Sequence, residues 1–217
     1  MQMRTTKPES GNKFYNTVSN GGWSRCIVGK PTDKGCNVLA NCVGYACGRF
    51  NEIIGSMKYP YLNCNAENFI ERAKQYDLEI SDKPVLGGIM VWKKGATLSG
   101  NDGAGHVAIV EKIIDNNTIY TSESGYGSSA FWNSTRSNSN GRWGMASSYS
   151  FRGCIINPSV KEEKPDILLM VKKTIRGDYG NGETRKNALG KYYNEVQHQV
   201  NLNLRDGRTR WDNIKLY

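Results

Sequence analysis

Three residues have the types and spacing that acyl transfer needs: Cys42, His106 and Glu123. Cys42 lies in the stretch NVLANCVGYACGRFNEII (37–54), and from it Val43, Ala46, Cys47, Phe50, Ile53 and Ile54 recur at spacings of three and four. That periodicity predicts a buried amphipathic helix with Asn41 as its N-cap. A thiol in the first turn sits at the positive end of the helix dipole, where backbone N–H groups favour the thiolate, the nucleophilic form. Its activation calls for a base, and the chain has two histidines, His106 and His198. His198 falls in a C-terminal segment of different character, which makes His106 the candidate. The backbone N–H of Cys42 and the side chain of Asn37 are candidate donors to a tetrahedral oxyanion.

The elements that must position these groups follow from pattern. Residues 1–35 read as an irregular lead-in with at most a short helix near Phe14 to Val18. After the Cys42 helix, Asn65 starts a second helical pattern, AENFIERAKQYDL, with Phe69, Ile70, Ala73 and Tyr76 on one side. Pro84 and the Gly87-Gly88 pair then break the chain, and four β-rich runs follow: IMVWK (89–93), HVAIVEKI (106–113), TIYTSE (118–123) and SFRGCII (150–156). Helices followed by neighbouring strands predict an α+β fold with an antiparallel sheet. A hairpin between Ile113 and Thr118 makes His106 open one strand and Glu123 close the next, so the carboxylate and the imidazole can meet.

Each residue also has a plainer role. A cysteine on a helix is commonly a small core hydrophobe, a histidine at a strand edge a hydrogen bonder, and a glutamate a solvated charge. The conjunction of a first-turn thiol, one nearby histidine and a carboxylate one hairpin away favours catalysis. Cys47 is the internal control: five residues on, it points about 140° away round the helix and belongs in the core. Cys26, Cys36, Cys64 and Cys154 lie outside helix termini and read as structural.

The N-terminus lacks the apolar core of a signal peptide, which predicts reduced thiols in a chain made in the cytoplasm. A zinc site is the other reading of the cysteines, but Cys36, Cys42 and Cys47 lack CxxC spacing, and no metal or other cofactor is expected. Lys and Arg number 29 against 20 Asp and Glu, a net charge of +9 that favours anionic partners. The basic residues are scattered and no nucleic-acid-binding motif accompanies them, so nucleic acid is not the expected partner. No apolar run approaches the ~20 residues of a membrane span, which argues against insertion.

Residues 157–166, NPSVKEEKPD, look like a linker. The stretch from Ile167 to Asn201 has helical periodicity at both ends and a Gly-rich turn, DYGNG, between them. The final LNLRDGRTRWDNIKLY does not resolve into an element.

At this point NCVGYACGRF, GAGHVAIVEKI and TSES together resemble the cysteine, histidine-dependent amidohydrolase/peptidase (CHAP) domains of phage endolysins and bacterial wall hydrolases. PVLGGIMVWKKG is similar to the family's Pro-x-x-Gly-Asp strand, and FRGCIINP to its closing strand. The resemblance implies a papain-like α+β domain over 1–158, N-terminal helices packed on an antiparallel sheet, and cleavage of an amide bond in peptidoglycan. Cys42 would be the nucleophile, His106 the base and Glu123 the acidic partner. Two positions depart from the family: Gly88 stands where many relatives carry Asp, and Ser124 and Gly125 stand where some place Asn. Some relatives bind calcium just before the cysteine, where this chain offers Asp33 and little else.

Beyond a linker over 159–167, residues 168–217 make up a helical repeat and tail, in which IRGDYGNGETRKNAL…YYNEVQHQVN resembles a short three-helix wall-binding repeat. The match falls on Gly177, Gly180, Asn181, Gly182, Arg185, Leu189, Val196, Gln197, Val200 and Asn201, with Tyr179 where Trp is usual. That resemblance implies wall binding through Arg185, Tyr179 and Gly182, with Arg185 pairing a carboxylate; an Arg185 that only braces the bundle is the alternative. One copy implies modest affinity unless chains associate through this module. The whole resembles an endolysin, an N-acetylmuramoyl-L-alanine amidase or peptide endopeptidase that is made in the host cytoplasm and acts on the wall after release. The rival reading is a non-catalytic wall-binding or structural phage protein with an inert thiol.

Overall fold

The Cys42 stretch forms the helix its periodicity predicts, α1 (Cys42–Ile54), capped by the Asn41 carboxamide, which accepts the N–H groups of Val43 and Gly44. The computed structural model describes residues 1–18, 32–59, 64–161 and 165–217. Contacts divide the chain into two compact units, Met1–Lys161 and Glu162–Tyr217. Cys26 and residues 162–164 of the expected linker lie outside the described residues. Cys36, Cys42, Cys47, Cys64 and Cys154 carry free thiols.

The first unit is α+β, as the order of elements predicts. A two-stranded ribbon, β1 (Asn16–Thr17) and β2 (Cys36–Asn37), precedes α1. In place of the short helix expected near Phe14 there is a turn at Phe14 and Tyr15 that runs into β1: Thr17 is β-branched, and the ribbon pairs Asn16 with Asn37. A 3₁₀ turn (Ala66–Asn68) leads into α2 (Phe69–Lys74), and β3 (Ile80–Ser81) follows. Then come β4 (Ile89–Lys94), β5 (His106–Asp115), β6 (Thr118–Glu123), β7 (Trp132–Ser137) and β8 (Tyr149–Ile155). All pair antiparallel in the order β3-β8-β4-β5-β6-β7.

The runs IMVW and VAIV are continuously apolar because both faces of the central strands are covered. On one face Ile89, Val91, Val107 and Ile109 pack with Tyr45, Ala46, Phe50 and Phe69 of the helices. On the other, Met90, Trp92, Ala108 and Val110 pack with Ile119, Trp143 and Cys154. The departure at Gly88 has a steric cause. A Cβ there would stand 2.6 Å from the Cys154 sulfur and 2.7 Å from the Ile155 carbonyl oxygen, so the backbone leaves no room for an Asp.

The second unit contains α3 (Ile167–Arg176), α4 (Gly182–Leu189) and α5 (Tyr193–Arg205) around Val171, Leu189, Val196, Val200 and Ile214. The tail after α5 has no regular structure, yet it closes the unit. Ile214 enters the core, and the buried Asn203 amide donates to the Lys215 carbonyl and accepts the Lys215 N–H.

Candidate active site

Three elements bring Cys42, His106 and Glu123 together. Cys42 is the first residue of α1, His106 the first of β5 and Glu123 the last of β6. The His106 Nε2 lies 2.7 Å from Glu123 Oε2, and the same ring is hydrogen-bonded to the Cys42 thiol. Because Nε2 is committed to the carboxylate, Nδ1 is the ring nitrogen left to face the sulfur. Burial alone would strip the proton from His106, but the bonds to Cys42 and Glu123 outweigh it and raise its pKa to about 9.

Glu123 is fully buried and held from three sides. Besides His106, the Arg136 guanidinium grips both oxygens, Nε to Oε1 at 2.8 Å and Nη2 to Oε2 at 2.7 Å, and Thr121 Oγ1 donates to Oε1 at 2.6 Å. Burial pushes a carboxyl pKa up; here the hydrogen bonds from His106 and Arg136 prevail and hold it at about 2. A carboxylate with those donors is ionised at neutral pH.

The imidazole is also gripped on its faces. Trp92 stacks with it at a centroid distance of 6.0 Å and 26°, and Trp132 at 6.2 Å and 10°. Trp92 is buried by this packing, by Phe151 and by the Arg136 guanidinium 5.1 Å from its ring centre. Trp92, Trp143 and Tyr45 are core, while Trp132 is partly exposed beside the histidine.

Buried polar clips set the position of the sulfur relative to the sheet. Ser124 Oγ accepts the Asn41 N–H at 3.0 Å, which joins the cap of α1 directly to the residue after Glu123. One helical turn on, Tyr45 Oη donates to Ser122 Oγ at 2.7 Å, and Ser122 donates to Glu111 Oε1 at 2.7 Å. Arg49 then pairs with both oxygens of Glu111 at 2.9 Å. Ser124 thus tethers the helix that carries Cys42. A buried ion pair adds little net stability over apolar packing, while losing one partner costs several kcal/mol, so the clip's consequence is a fixed register of α1 on β5.

Asn37 is in β2, and its Oδ1 accepts the Leu39 N–H at 2.9 Å, so the NH₂ end is the part left to donate. Cys47 is packed in the core, as its helical angle predicts. In the second unit Arg185 donates to Gly180 O at 2.9 Å, Asn181 Oδ1 at 2.8 Å and Gln197 Oε1 at 3.1 Å. These three partners are neutral, so they orient the guanidinium without cancelling its charge. Tyr179 packs against the core of the unit, and Gly182 is exposed at the start of α4. Among the described residues no three His, Cys, Asp or Glu side chains gather as a metal site.

Sequence reasoning missed Arg136, Thr121 and the stacking role of Trp132. Thr121 precedes Glu123 by two residues on its own strand face, and Trp132, Ser134 and Arg136 alternate along β7, a pattern that polar WNSTRS conceals.

Among curated proteins none matches the chain. A crystal structure of an N-acetylmuramoyl-L-alanine amidase from Staphylococcus aureus is similar at 22% identity and a TM-score of 0.39, covering 56% of this chain and 32% of that one. Residues 32–125, which hold Cys42, His106 and Glu123, match the CHAP domain family, and residues 170–204 match the CW_7 repeat.

Proposed function

We propose that this chain is an endolysin-type peptidoglycan hydrolase that cuts an amide bond of the bacterial wall through Cys42, as an N-acetylmuramoyl-L-alanine amidase or a peptide endopeptidase. The observation that carries the reading is the His106 imidazole bonded at once to the Cys42 thiol and to Glu123. The sulfur attacks the amide carbonyl carbon as a thiolate paired with imidazolium, and the carbonyl oxygen becomes an oxyanion. The Asn41 cap takes the N–H groups of Val43 and Gly44 and not that of Cys42, which is the first oxyanion donor; the Asn37 amide is assigned as the second. His106 then gives its proton to the departing amine as the C–N bond breaks, leaving a thioester. Water, deprotonated by the now neutral imidazole, hydrolyses the thioester and restores the thiolate and imidazolium. Glu123 fixes the ring's orientation throughout and does not itself exchange the proton.

The second unit is assigned to the wall, with Arg185 as the group that meets a stem-peptide carboxylate. Its neutral partners support this, since a guanidinium held in place with its charge uncancelled is suited to an anion. Muropeptide analysis of walls digested with wild type and with Cys42→Ser tests the whole reading. New ends are expected with wild type alone; equal lysis by the variant ends it. New amines on L-alanine identify an amidase, and amines elsewhere in the stem or cross-bridge an endopeptidase.

A further inference from the structure

We propose that Arg136 is a positioning residue for the same reaction: by gripping both oxygens of Glu123 and cancelling their charge, it limits how tightly the carboxylate holds His106 in its protonated form. This rests on the catalytic reading above and deepens it. Arg136 lies beyond the segment that matches the CHAP family, on a strand the sequence pattern did not reveal.

The geometry is specific. Two parallel N–H···O bonds of 2.8 and 2.7 Å join the fork of Arg136 to the two carboxylate oxygens, and one of those oxygens, Oε2, is also the atom that holds His106 Nε2. The guanidinium is itself fixed, by its Nη1 bond to the Trp143 carbonyl at 3.2 Å and by its place 5.1 Å from the centre of the Trp92 ring. Among the described residues, the titratable groups bearing on His106 are Cys42 from α1 and Glu123 from β6, with Arg136 on β7 behind the carboxylate. Trp92 and Trp132 contribute no charge, and Glu67, in the 3₁₀ turn packed against β5, turns its Oε1 to the Gly100 N–H. In the proposed cycle the sulfur and the Glu123 carboxylate both bear on one imidazole. An imidazole held too firmly as imidazolium is a poor donor to the leaving amine and a poor base toward water, because both steps need its proton to move. Arg136 is the cation that offsets the carboxylate.

The test uses the full chain. With two histidines, imidazole NMR of uniformly labelled protein reads each ring, and His198→Gln identifies the signals of His106. In Arg136→Gln, which keeps an amide donor and loses the charge, the His106 titration midpoint should rise by about one pH unit. In Arg136→Lys, which keeps the charge and loses the fork, it should return to within a few tenths of wild type. The alkaline limb of wall-lysis activity should move with it. A midpoint unmoved in folded Arg136→Gln, or moved equally in the Lys variant, overturns the proposal. If Arg136→Gln does not fold, the Lys variant decides: a wild-type midpoint supports the proposal and a raised one overturns it. Loss of the catalytic reading shows separately, as lysis that does not need Cys42.

Discussion

His106 has two neighbours that both favour its charged form, and together they set the sign of its pH dependence. Its pKa is raised from 6.5 to about 9, so the imidazolium persists through neutral pH and is lost as the pH rises through about 9. The rate of wall lysis, followed as kcat/KM against pH, should therefore fall on an alkaline limb near 9. Stability follows the same direction: this histidine's contribution is complete below 6.5 and disappears as pH rises through about 9. Replacing His106 by Ala removes the acid and base together and should lower activity by ~10²- to 10⁴-fold with the fold retained, checked by circular dichroism beside the lysis assay. The meeting of Cys42, His106 and Glu123 is legible in the sequence because a helix start, a scarce residue type and a hairpin register each narrow the choice. Arg136 is not, since one arginine among scattered basic residues carries no local mark; only its long-range pairing with Glu123 distinguishes it.

At the scale of elements, α1 is the part on which the site depends, and its sequence shows why. Its nine buried positions include Gly44 and Gly48, and a Cβ on Gly48 would lie 2.6 Å from the Phe14 carbonyl oxygen and 2.6 Å from the Tyr15 ring. Gly48→Ala should therefore push the helix off the N-terminal segment, destabilising the protein by about 1–3 kcal/mol and lowering activity, measured by denaturant melts. Asn41→Ala should cost about 1 kcal/mol by the same measurement through the lost cap. The apolar stripe and the cap were legible from spacing. The polar clips were not, because Ser122, Ser124, Arg49 and Glu111 are types that normally face water, and only pairing across α1, β5 and β6 makes their burial tolerable. Strand β7 escaped for a related reason: its residues are largely polar and half-buried, so alternation of hydrophobicity, the usual sign of a strand, is absent.

For the whole molecule, each unit has its own core, so the two should separate without unfolding. A chain ending at Lys161 should keep the cooperative melt of the first unit while binding purified walls more weakly than the full chain, read by co-sedimentation. Arg185→Ala in the full chain should reproduce most of that loss with little change in turnover of small soluble fragments; unchanged sedimentation would assign Arg185 to bracing alone. The tail illustrates the limit of pattern reading at this scale. Its Gly, Asp and Arg give no periodicity, yet one residue, Ile214, belongs to the core, and the Asn203 side chain fastens the backbone beside it.

The slot that holds His106 has a consequence for the tempo of the reaction. Two stacked indoles and a carboxylate on one nitrogen favour a single pose of the ring. In the proposed cycle it acts first as acid and then as base from a single pose. The change of role is the transit of a hydrogen nucleus over a fraction of an ångström, with no swing of a side chain to wait for.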